Sequence, residues 1–128
     1  MSPTITGVLI DPTSQSVSYA EIPANEDGTV SLVGLYETLD CSLVDRFSLS
    51  SDADLVLDDE GLLKPNNHGF TIGSFPRIFA GKAVLLRVED HSWVSVPSIN
   101  IEAMTELIQW FSPADVSEQD MGVIVTTI

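Results

Sequence analysis

At 128 residues, with 44% hydrophobic residues and a mean hydropathy of +0.22, the chain has the length and apolar content of one globular domain spanning 1–128. Nineteen acidic against five basic residues give a net charge of −14 and a pI near 4.1. That balance disfavours direct binding to nucleic acid or anionic membranes, and it favours basic or nucleic-acid-handling protein partners. The single cysteine, Cys41, excludes an intrachain disulfide framework and a thiolate-built zinc site.

Met1-Ser2-Pro3-Thr4 has neither a basic region nor a long apolar run, so no secretory signal is expected. The longest apolar stretches, such as Ala83-Val84-Leu85-Leu86, fall far short of the ~20 residues a membrane span needs. A cytoplasmic protein is the expectation.

Thr4 to Ile10 reads as a strand ended by the Asp11-Pro12 turn signal, and Gln15 to Ile22 as its hairpin partner. After the polar loop 23–28, Leu32, Leu35, Tyr36 and Leu39 fall at helical spacing, with Thr29 or Ser31 able to cap. Gly34 inside that helix costs roughly 1 kcal/mol of propensity, which points to a close packing contact. Ser42 to Leu49 and Ala53 to Leu57 alternate around Ser50-Ser51-Asp52 as a second hairpin, closed by the turn Asp58-Asp59-Glu60-Gly61. Lys64 to Gly69 is a loop by composition, and Gly73, Ser74 and Pro76 extend it.

Ala83 to Val88 is continuous and apolar, as a central strand buried on both faces should be. The turn 89–92 leads to a strand from Trp93 to Val96. Asn100 caps a helix predicted to run through Phe111, with Ile101, Met104, Ile108 and Phe111 on one face, and Pro113 ends it. Val123 to Ile128 closes as a β-branched strand. Strands far outnumber helices without βαβ alternation, so the fold class is α+β with a mainly antiparallel sheet.

The densest polar cluster is Asp52, Asp54, Asp58, Asp59 and Glu60. Read as a calcium loop from Asp52, it has Leu57 where glycine is needed and Leu63 where the bidentate glutamate is needed, so that reading fails. Asp54 and Asp58 share a strand face with Asp59 on the other, and the carboxylates read as solvated strand ends. Magnesium chemistry needs carboxylates that converge, whereas adjacent side chains diverge. No nucleophile elbow, zinc-protease pair or phosphate loop is present. Cys41 reads as core and His68 and His91 fall in loops, so no catalytic residue, metal or cofactor is assigned.

Trp110 reads as core on the flank of the second helix; Trp93 reads first as core and, beside Glu89, Asp90 and His91, second as a protein-binding hot spot. A partner surface would then combine Asp52, Asp54, Asp58, Asp59, Glu60 and Trp93. In so acidic a chain the loop from Lys64 to Lys82 holds three of the five basic residues. Lys64, Asn67, His68, Arg77 and Lys82 are therefore candidates for an anionic ligand.

The run Asp59-Glu60-Gly61-Leu62-Leu63-Lys64-Pro65-Asn66-Asn67, followed by Ile78-Phe79-Ala80-Gly81-Lys82-Ala83-Val84-Leu85, resembles domain-of-unknown-function family 3846. Its members are small proteins of phages, plasmids and bacterial genomes, with an Asp-Glu-x-Gly-Lys-like turn, an Asn and an Ile-x-Gly-x-Ala-Val-like strand. Leu32-Val33-Gly34-Leu35 is similar to the family's Val-Gly-Gly helix segment, with Leu35 where a second glycine is usual. Lys64 is displaced from the turn, and 99–128 lies outside the resemblance. The resemblance implies a mobile-element origin (hence the host cytoplasm, if phage-encoded) and transfers no catalytic residue.

Two functions follow as expectations. The first is a non-enzymatic inhibitor or binding protein of phage type acting on a host protein, including an anti-defence protein that mimics nucleic acid. Duplex DNA carries one charge per ~1.7 Å of axis, so mimicry needs most carboxylates on one face. The alternative is a module or sponge for a small anionic ligand such as a nucleotide.

Overall fold

The computed structural model describes residues 3–58, 68–74 and 77–116. Strands β1 (Thr4–Asp11) and β2 (Ser16–Pro23) form the expected first hairpin. Asp11 accepts the Thr13 N–H at 3.0 Å, and Gln15 takes a left-handed φ of 54° to complete the turn.

Helix α1 (Leu32–Leu39) starts where Ser31 Oγ accepts the Gly34 N–H at 3.2 Å. It stops at Asp40, left-handed at φ 53°, after which Cys41 N–H donates to the Tyr36 carbonyl. Gly34 meets the expected close contact, because a Cβ there would lie 2.8 Å from Pro23 Cδ.

Strands β3 (Val44–Ser50) and β4 (Ala53–Asp58) make the second hairpin, with a register shift between Ser48 and Ser50. Further on lie β5 (Gly69–Ile72), β6 (Phe79–Ala80), β7 (Ala83–Glu89) and β8 (Ser92–Val94). Helix α2 (Ile101–Glu106) and strand β9 (Ile108–Phe111) follow. The main sheet runs β2-β1-β7-β4-β3, wholly antiparallel, and a small second sheet runs β6-β5-β9. This is the expected α+β class, with β7 central.

Strand β7 pairs with β4 along one side and with β1 and then β8 along the other. Past β8, Val96 N–H donates to the Thr6 carbonyl, and Ser95 Oγ accepts the Thr6 N–H, both at 2.9 Å. Alternation then sorts the apolar side chains into two clusters. Ile5, Val56, Val84 and Leu86 pack under Leu35 and Leu39 of α1. Val8, Ile10, Leu55, Leu57 and Ala83 pack on the other face against Phe70, Phe79 and Ile108. Tyr19 fastens that second face: its hydroxyl donates to the Ile99 carbonyl at 2.6 Å and accepts the Ile99 N–H at 2.7 Å.

Several expectations are corrected. Helix α2 does not reach Phe111. The Leu107 carbonyl accepts from Gly73 N–H, and Ile108–Phe111 pairs with β5 as a strand. Pro113 opens a helical turn at 113–116 instead of ending a helix, with Ser112 and Asp115 bonded at its start. The region expected to be loop contains β5, and the strand at Trp93 stops at Val94. The strand expected at Val123–Ile128 lies outside the described residues. Among those described, no helix is long and apolar enough to cross a membrane.

Candidate functional site

The α1 face of the sheet carries a polar constellation whose parts come from three strands, β3, β4 and β8. On β4, Asp54 and Asp58 flank Val56 on that face, as alternation requires. Both are buried, with relative exposures of 3% and 8%. They are not the solvated strand ends that the sequence suggested. Each lies two residues from fully buried Val56 in a strand paired on both sides, so packing withdraws them from water.

Arg46 stands opposite Val56 in the β3–β4 register, and Trp93 opposite Val88 in the β7–β8 register. Both side chains therefore reach the Asp54 side of the sheet. Trp93 Nε1 donates to Asp54 Oδ2 at 2.9 Å, and an Arg46 guanidinium nitrogen lies 3.5 Å from the same oxygen. A buried carboxylate needs such partners, since isolation in a low dielectric is expensive. The Arg46 side chain is itself 69% exposed, so one end of this ion pair faces solvent.

Outside this group opens a cleft of about 410 Å³, lined by Thr29, Val30, Arg46, Val88 and the run His91-Ser92-Trp93. Thr29 is fixed by its own loop. Asp27 accepts its N–H at 3.0 Å and its hydroxyl at 2.6 Å, and Asn25 Nδ2 donates to that hydroxyl at 3.0 Å. The Thr29 hydroxyl, and then its N–H, hold the Asp27 carboxyl below the usual carboxylate range. Val30 is tied to Ala24 by an isolated bridge. His91 sits in the two-residue turn between β7 and β8, where Asp90 and His91 both have positive φ, 51° and 65°.

The sequence-derived partner surface is thus only partly assembled. Asp54 and Trp93 meet directly, and Asp58 shares their face. Asp52 sits exposed in the β3–β4 turn, accepting from Ser50 Oγ at 2.8 Å. Asp59 and Glu60 lie outside the described residues. Of the ligand candidates, Lys64 and Asn67 also lie outside them. Arg77 is occupied on the opposite face, its guanidinium 5.0 Å from the Phe47 ring centroid and 5.2 Å from that of Phe79. His68 and Lys82 are half-buried and brought near each other by the Gly81 N–H bond to the His68 carbonyl. Arg46, His91 and Thr29 line the cleft without belonging to either set of residues expected from the sequence. Only the pairing registers reveal them, and no local motif marks them. Among the described residues, no three His, Cys, Asp or Glu side chains are grouped to hold a metal.

Fold and site together define a small antiparallel α+β protein with an open polar cleft walled by an indole and a guanidinium. The sequence model of a domain of unknown function, DUF3846, matches residues 5–109, and the chain belongs to that family. The match takes in every cleft residue and extends through α2, which lies outside the short motifs that carry the resemblance. No curated protein and no solved structure matches the chain.

Proposed function

We propose that this chain is a non-enzymatic binding module whose cleft takes a small anionic ligand. The observation that carries the reading is the convergence of Arg46, His91, Ser92 and Trp93 on one concavity of about 410 Å³. Small-molecule sites typically measure roughly 300–1,000 Å³ and combine apolar walls with a few convergent polar groups. The ion pair between Arg46 and Asp54 approaches through one guanidinium nitrogen at 3.5 Å, which leaves the rest of the five-donor fork for a ligand oxyanion. The site differs from the basic loop that the sequence suggested for the same function.

A thermal-shift and calorimetry screen of nucleotides and aromatic carboxylates tests this reading. A ligand at a hundred times its Kd stabilises the fold by about 2.7 kcal/mol, a shift of several degrees in Tm. Binding that is lost in Arg46→Ala supports the proposal, and no stabilisation by any compound contradicts it.

The strong acidity favours a second reading: a phage-type inhibitor acting in the host cytoplasm on a basic or nucleic-acid-handling protein. Trp93, half-buried beside exposed Glu89 and Asp90, would anchor that partner. Exposed acids occur on α1 (Glu37) and on α2 (Glu102, Glu106), which cover opposite faces of the sheet. That spread suits long-range steering better than imitation of a DNA face. Affinity capture from the host at low and high salt separates the two readings. A basic partner held at low salt and released at high salt would favour the inhibitor.

A further inference from the structure

Asp90 and His91 form a two-residue hairpin loop, because Glu89 pairs with Ser92 directly across it. Both residues are left-handed, at φ 51° and 65°. That pattern belongs to the tight turn whose preferred sequence is Asn or Asp followed by glycine. Asp90 suits its place. His91 stands where a side chain is strained and glycine is not. The same imidazole lines the cleft, next to Ser92 and Trp93.

Trp93 contributes differently. Its one polar atom is committed inward to Asp54, so the ring carbons form its cleft wall, continued by Val30 and Val88. Arg46 is anchored to the same Asp54 oxygen while most of its side chain stays in water. The cleft therefore has an apolar, ring-sided wall and two separate hydrogen-bonding groups, the Arg46 guanidinium and the His91 imidazole.

We infer that the occupant is a flat ring bearing an oxyanion, a phosphate or a carboxylate, with the ring against Trp93 and the oxyanion between Arg46 and His91. This rests on the binding-module reading above and assigns His91 as its specificity-determining contact. Neither half of such a ligand suffices alone. Asp54 offsets the charge of Arg46, which weakens the hold on a bare anion, and a bare ring leaves both donors unmet.

Isothermal titration of the full chain tests the assignment. The probes are the four common ribonucleoside 5′-monophosphates, indole-3-acetate, adenosine and inorganic phosphate. At least one ring-bearing oxyanion should bind tenfold or more tighter than adenosine and inorganic phosphate; the monophosphates and indole-3-acetate separate phosphate from carboxylate. His91→Gly should weaken that ligand at least tenfold while the melting temperature stays level or rises. If glycine lowers the melting temperature, His91→Asn, which tolerates the left-handed region but lacks the imidazole, decides by the same tenfold criterion. Inorganic phosphate binding as tightly as the ring-bearing ligand, or an affinity indifferent to residue 91, would overturn the inference and leave the module standing. No binding by any probe would overturn both.

Discussion

The Trp93 indole donates to the Asp54 carboxylate at 2.9 Å across 39 residues of sequence, and it is this bond that turns an acidic strand into the wall of a cleft. It satisfies a carboxylate with 3% relative exposure, and it fixes the ring whose other surface lines the cavity. Removing the carboxylate leaves a half-buried indole N–H without its acceptor. Asp54→Ala should therefore cost about 2 kcal/mol in urea unfolding, the range for hydrogen bonds to charged groups. Arg46→Ala, whose side chain is largely exposed, should cost under about 1 kcal/mol. Equal losses from the two variants would contradict this division of labour.

Gly34 is where α1 meets β2. Alanine would gain roughly 1 kcal/mol of helix propensity, but its Cβ would stand 2.8 Å from Pro23 Cδ, a rigid ring. The clash should win, leaving Gly34→Ala about 1 kcal/mol less stable than wild type by chemical denaturation, as overpacked positions typically are. A more stable variant would show that Pro23 yields freely.

Tyr19 connects the edge of the main sheet to the segment before α2 through one hydroxyl that both donates and accepts. Tyr19→Phe keeps the ring and deletes both bonds. Because the residue is partly exposed, water replaces some of the loss, and about 1 kcal/mol is expected. Hydrogen exchange gives a sharper test: the Ile99 amide should exchange faster in the variant, and an unchanged rate would remove Tyr19 from this role.

Two exposed carboxylates link the fold to pH. The Thr4 hydroxyl, with that of Thr6, holds the Glu21 carboxyl below the usual carboxylate range, and Thr29 does the same for Asp27. A carboxylate whose folded value is depressed adds stability above its unfolded pKa and loses it as pH falls through the folded one. Wild type should thus lose melting temperature between about pH 5 and pH 3, and a Thr4→Val, Thr6→Val double variant should lose less over that interval. Parallel curves would remove Glu21 from the account.

Local chemistry made much of the fold legible. The Asp11-Pro12 turn, the Ser31 and Asn100 caps, the apolar run of β7 and the close contact at Gly34 all follow from residues near them in sequence. The shared face of Asp54 and Asp58 followed from alternation alone. The end of α2 did not. Ile101, Met104 and Ile108 fit a helical stripe, yet Ile108–Phe111 also alternates, and the choice is made by β5, far away in sequence. The burial of Asp54 was hidden for a related reason, since its indole partner arrives from a different hairpin. The cleft draws on four segments whose meeting depends on register, so no spacing rule could show it.

The measurement that bears most directly on the cleft is an NMR titration of isotope-labelled protein with the ring-bearing oxyanion that binds best. The chain has two tryptophans, Trp93 and Trp110, and hence two indole N–H signals. The Trp93 signal should move together with the amides of Val30, Arg46 and 91–93, while that of Trp110, packed on the opposite face, stays in place. Shifts centred on His68 and Lys82, or a moving Trp110 beside a silent Trp93, would contradict the assignment of the cleft.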